Sequence, residues 1–147
     1  MNGAVDTLVA QNFGNGNLYM CGVTLNQARV VLTGCLGLWT VVYLNCQRIL
    51  LLLNIPAQVA AYAQLYVTLL LPAIYFMSQF DALRRFLNCQ GLSYIPMAVQ
   101  LLMMALHIIG SYLLVVVWNL QIQGVAYAMN LTMFLQLAIV TTYCYCL

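Results

Sequence analysis

Only six of the 147 residues carry a formal charge, and they are spaced so that long uncharged apolar stretches lie between them. Arg29 and Arg48 set the scale. The 18 residues between them rise about 27 Å as a helix, which is close to the thickness of a bilayer's hydrocarbon core. Each guanidinium then reaches water at a membrane surface.

Other classes fall away on composition. At 65% apolar and 4% charged residues, with a mean hydropathy of +0.97, the chain has no hydrophilic face with which a soluble domain could cover its core. The net charge is +2, and no Lys/Arg cluster is interleaved with aromatics, so a nucleic-acid footprint is missing. A basic segment followed by a short apolar one is also lacking at the start. The expectation is that no signal peptide is cleaved and that the first crossing helix directs insertion. The cysteines, Cys21, Cys35, Cys46, Cys89, Cys144 and Cys146, include no C-x-x-C pair and read as small apolar side chains.

The pattern predicts an all-α membrane protein with four full transmembrane helices preceded by part of another. Residues 1–16 are too polar at their end to span and finish in the turn Phe13-Gly14-Asn15-Gly16, so they read as the tail of a helix. Crossings are expected over 26–44, 59–80, 97–118 and 124–145. Asn54-Ile55-Pro56 should break the chain after the first, because the residue before proline avoids the α region. Pro72 should kink the second crossing, which continues into water where Asp81 lies three and four residues from Arg84 and Arg85, a favourable helical spacing. Gln90-Gly91 ends it. The third and fourth crossings are joined so closely that they must be antiparallel neighbours. Arg29, Arg84 and Arg85 fall on one side and Arg48 on the other, so the first side is expected to be cytoplasmic. The sequon Asn130-Leu131-Thr132 lies inside a crossing, out of reach of glycosylation.

Polar residues within the crossings fall on faces when helical spacing is applied. Asn26, Arg29, Thr33, Gly37 and Thr40 share one; Gln64, Thr68, Tyr75 and Gln79 another, with Pro72 in line; Gln100, His107 and Ser111 a third; Thr132, Gln136 and Tyr143 a fourth. Any single one of these suits helix–helix glue or back-bonding to its own helix. A stripe on all four crossings suggests a bundle around a shared polar interior. The candidate pathway residues are Thr68, Tyr75, Gln79, Gln100, His107, Ser111 and Gln136.

His107 is the one group in the apolar slab that titrates near physiological pH. Ser111 lies one turn on, but a Ser-His nucleophile needs a carboxylate to orient the base, and both acids, Asp6 and Asp81, belong to other segments. One histidine cannot hold a bis-histidine haem, and no carboxylate/histidine cluster suits a metal. No catalytic residue, metal site or cofactor is expected.

The run Ala4-Val5-Asp6-Thr7-Leu8-Val9-Ala10-Gln11-Asn12-Phe13-Gly14-Asn15-Gly16 resembles the A-L-D-T-L-x-x-Q-A-F/Y-G-A-G signature of the multidrug and toxic compound extrusion (MATE) transporters, where their second helix meets the loop to the third. Leu83-Arg84-Arg85-Phe86-Leu87-Asn88-Cys89-Gln90-Gly91 is similar to the family's L-R-R-F-L-Q-x-Q-G after the fourth helix, with Pro96 opening the fifth. Leu106-His107 and Ser111-Tyr112-Leu113-Leu114 resemble the fifth helix, and Gly124-Val125-Ala126-Tyr127-Ala128 the G-x-A-x-A start of the sixth. The resemblance implies part of a six-helix N-terminal lobe. It also implies a cation-coupled antiporter, using H+ or Na+, that expels small organic cations by alternating access with a C-terminal lobe not contained in this sequence, in a plasma or vacuolar-type membrane. On that resemblance His107 takes the N-lobe cavity position and Ser111 the place of an aspartate in prokaryotic members. The same resemblance implies that Asp6 and Gln11 hold the cytoplasmic end of the lobe together, with Gly14, Asp81, Arg84, Arg85 and Gly91 as further structural-motif positions. The implied partners are the bilayer, the substrate, the coupling ion and the remaining helices, with no nucleic acid. A different reading makes the chain a small four-span scaffold without transport.

Overall fold

The computed structural model describes residues 2–146, without the side chains of 2–6, Leu18 and Cys146. Asp6 is therefore placed in a helix by its backbone alone, and its side chain lies outside the described residues.

Among the described residues six α-helices follow one another: α1 (Asn2–Gly14), α2 (Leu18–Leu44), α3 (Cys46–Leu52), α4 (Ala57–Cys89), α5 (Tyr94–Tyr112), extended by a π-helical turn at Leu113–Val117, and α6 (Gln121–Cys146). Four are long and apolar enough to cross a membrane: Tyr19–Leu44, Ala57–Cys89, Tyr94–Val117 and Gln121–Tyr145.

Three helix ends share one device. At α1, Gly16 N–H bonds Phe13 O (2.9 Å) and Asn17 N–H bonds Asn12 O (3.0 Å); at α4, Gly91 N–H bonds Asn88 O (3.1 Å) and Leu92 N–H bonds Leu87 O (3.0 Å). Gly16 and Gly91 have φ of +72° and +77°, the left-handed conformation in which glycine carries no Cβ penalty. The end of α3 is built the same way on Asn54, at φ 60°, with Ile55 N–H reaching Leu50 O (3.2 Å). The break at 54–56 thus comes from a left-handed asparagine as well as from Pro56.

Two boundaries differ from the sequence expectation for identifiable reasons. The first crossing helix begins at Leu18 and not near residue 26, because Asn17 caps it, its Oδ1 accepting from Met20 N–H (3.2 Å). The added turns bury Cys21, Thr24 and Leu25 against neighbouring helices. The segment after Leu44, which the expected crossings leave outside the membrane-spanning stretches, contains α3. Gln64 of α4 holds both sides of that junction: its Oε1 accepts from Gln47 N–H (2.8 Å) at the start of α3, and its Nε2 donates to Tyr43 O (3.3 Å) at the end of α2. One amide so satisfies two backbone groups that helix ends leave unpaired.

The long helices stand in a row, α2 beside α4, α4 beside α6 and α6 beside α5, with α1 lying against α2 and α4. Among the described residues α2 and α5 make no contact. The helices therefore form an open row and not a bundle around one shared interior, and polar side chains meet at successive seams. The apolar core gathers toward one end, where Leu25, Phe80, Ala82, Leu83, Leu87 and Val140 pack together.

Candidate functional site

Three of the seams between helices, α1/α2, α2/α4 and α5/α6, are built on a threonine used in the same way. A threonine hydroxyl in a helix donates to the carbonyl four residues earlier, which leaves its lone pairs for a donor on the next helix. Thr24 donates to Met20 O (2.8 Å) and accepts from Asn12 Nδ2 (3.3 Å), joining α1 to α2. Thr33 donates to Arg29 O (2.8 Å) and accepts from Gln79 Nε2 (3.1 Å), joining α2 to α4. Thr132 donates to Ala128 O (2.7 Å), and its oxygen lies 3.2 Å from His107 Nδ1, joining α6 to α5.

The last arrangement settles the tautomer of His107. Thr132 has spent its hydrogen on Ala128 O, so the imidazole must supply the proton between them and carries it on Nδ1. The other ring nitrogen, Nε2, lies 3.4 Å from Ser111 Oγ, one turn along α5. The half-buried histidine is thus held at both ring nitrogens, by Thr132 on α6 and by Ser111 on its own helix. Ser111 is the group that must reorient if Nε2 is protonated.

A second polar tie crosses the middle of the row. Asn130 of α6 donates through Nδ2 to Leu69 O (2.7 Å) and to its own Ala126 O (2.9 Å), while its Oδ1 is buried without a partner. Leu69 lies in the turn that Pro72 opens, since proline has no N–H for the carbonyl of Thr68. Neighbouring helices restore such freed groups in membrane proteins. The sequence reading passed over Asn130 as a chance sequon. An amide at mid-span opposite a helix with an internal proline was the available signal.

The other sequence candidates fall in different places. Gln79 (6% exposed) and Gln136 (4%) are buried. Thr68 is exposed and bonded to Gln64, and Gln100 is exposed on α5. Tyr75, 42% exposed, lines two cavities between α2 and α4, of about 350 Å³ (with Arg29, Thr33 and Gln79) and about 230 Å³ (with Thr33, Gly37 and Leu71). The structure therefore brings His107, Ser111 and Thr132 together at one seam and Thr33, Tyr75 and Gln79 at another. At the end of α4, Asp81 pairs with both Arg84 (Nη2 to Oδ1) and Arg85 (Nε to Oδ2, 3.2 Å). Gly91 makes the turn that follows. Gln11 is exposed on α1, and Gly14 is the last residue of that helix.

An open row of long apolar helices tied by side-chain hydrogen bonds is the architecture of a multi-pass integral membrane protein. The MatE family profile matches residues 1–113, and the chain belongs to that family. It is 30% identical over 142 residues to multidrug and toxin extrusion protein 1 of Xenopus tropicalis, covering 96% of this chain and 25% of the relative. To multidrug and toxin extrusion protein 2 of Pongo abelii it is 31% identical over 144 residues, covering 97% and 25%. The mouse (Mus musculus) protein 2 is 38% identical over 89 residues, or 60% of this chain and 16% of the relative. The chain spans about a quarter of the length of the first two of these curated relatives. No solved structure matches it.

Proposed function

We propose that the chain is part of the N-terminal lobe of a cation-coupled antiporter that exports small organic cations and other xenobiotics in exchange for H+ or Na+. Family membership supports export, as do the names of its relatives. The observation that carries the coupling reading is His107: one ring nitrogen is anchored on Thr132, and the other meets Ser111. A histidine at membrane depth held this way changes charge without losing its position, because Nδ1 donates to Thr132 in both protonation states. Ser111 follows the proton by exchanging its role as donor for that of acceptor. Gln100, Thr68 and Gln136 supply further polar positions toward the pathway, while Tyr75 and Gln79 lie apart from them beside Arg29 between α2 and α4.

In this reading the end with Arg29, Asp81, Arg84 and Arg85 faces the cytosol. The remaining helices of the transporter pack on the open side of the row and supply the second lobe needed for alternating access. The bilayer, the transported cation and the coupling ion are the partners, and no step is catalytic.

Replacing His107 with Ala in a complete protein is expected to alter the pH dependence of efflux, while His107→Asn, which keeps a donor for Thr132, preserves assembly. A pH profile unchanged in His107→Ala would leave the histidine a packing residue and defeat the coupling assignment.

A further inference from the structure

Between α2 and α4 lies a site that transport of cations does not explain. Arg29 is half-buried, and its Nε is fully buried with no hydrogen-bond partner. An unsatisfied donor on a charged group is among the costlier features a fold can carry. Asp81 cannot relieve it, being engaged with Arg84 and Arg85. Arg29 instead opens on the cavity of about 350 Å³ lined also by Val30, Thr33, Tyr75 and Gln79. The buried amide of Gln79 uses one N–H on Thr33 and has a second to offer. A cavity with a fixed guanidinium in its wall repels organic cations and selects an anion.

Its surroundings indicate which anion. Gln64 meets Tyr43 and Gln79 meets Thr33, so α2 and α4 are antiparallel. Arg29, one turn before Thr33, therefore lies toward the end where α4 carries Asp81, Arg84 and Arg85. In the opposite direction the cavity shares Thr33 and Tyr75 with the second one, whose other walls are the apolar Leu36, Gly37, Leu71 and Ile74 together with Thr40 and Tyr43. A cationic head at the membrane boundary followed by an apolar groove running inward has the polarity of a phospholipid, and a free phosphate would leave the groove unused. Basic pockets between transmembrane helices bind anionic head groups in this way.

We infer that the Arg29 cavity and the groove below it bind an anionic phospholipid, its phosphate on the Arg29 guanidinium and the Gln79 amide, and an acyl chain along Leu36, Gly37 and Ile74. The site does not depend on which ion couples transport.

The test extracts the full chain from bilayers of phosphatidylcholine mixed with phosphatidylglycerol and measures the retained lipids by mass spectrometry. The wild-type chain is expected to retain phosphatidylglycerol in preference to phosphatidylcholine. Arg29→Gln should cut that preference roughly fivefold, the worth of one basic side chain at a charged membrane surface. Arg48→Gln, at the other end of α2, should leave it intact, and Arg29→Lys should keep the charge and part of the preference, showing that the fold survives change at this position. Equal retention of both lipids by the wild-type chain, or an undiminished preference in Arg29→Gln, would overturn the assignment. So would displacement of the bound lipid by inorganic phosphate at equal concentration, which would make the cavity a free-anion site.

Discussion

The α5/α6 seam and the α2/α4 seam use the same hydrogen-bond device but are packed in opposite ways. At the first, Gly124 and Ala128 are buried, and a Cβ on Gly124 would stand 2.9 Å from the carbonyl oxygen of Leu114. The contact falls on the π-helical turn at the end of α5, a local widening of the kind that marks functional positions. At the second seam Gly37 of α2 has nothing within 4 Å of such a Cβ, and a cavity fills the space. Small residues thus bring helices together only where the partner's backbone comes to meet them. Elsewhere the same residue types leave a groove.

The contrast can be broken most directly at its glycines. Gly124→Ala forces a methyl into the Leu114 carbonyl and is expected to cost about 1–3 kcal/mol, the usual penalty of overpacking, seen as a lowered unfolding midpoint in detergent. An unshifted midpoint would show that the α5/α6 approach is not tight.

A smaller effect separates the two threonines. Thr132→Val leaves His107 Nδ1–H without its acceptor in a seam closed by small residues, and should cost about 1–2 kcal/mol. Thr33→Val removes the acceptor of Gln79 beside a cavity where the amide can find another partner. Its cost should fall near 0.6 kcal/mol, the average for hydrogen bonds between membrane helices. Equal losses in parallel unfolding titrations would mean that the two seams are equivalent. The smallest effect belongs to Gly37→Ala. With open space around it, the added methyl should be tolerated or stabilise α2 by up to about 1 kcal/mol through helix propensity, and destabilisation in the same assay would place a neighbour where the structure shows a groove.

How far the candidate site could be read from sequence varies by residue. The ion pairs of Asp81 with Arg84 and Arg85 were legible because they lie within one helix, at spacings that put the groups side by side. His107 with Ser111 was legible for the same reason. The partner that fixes the histidine tautomer, Thr132, lies 25 residues away on α6, and helical spacing carries no information across a turn. Asn130 was missed because its partner, Leu69 O, is a backbone group on another helix, 61 residues away in the chain.

Local chemistry decided the helices. Uncharged runs of membrane length, with Gly16, Asn54 and Gly91 stopping helices and Asn17 starting one, are properties of neighbouring residues, and the sequence by itself determines them. Tertiary structure alone decided that the helices stand in an open row and that the polar stripes meet at separate seams, not around one interior. Which helix lies beside which depends on how closely two backbones can approach, a distance set jointly by side chains far apart in the chain.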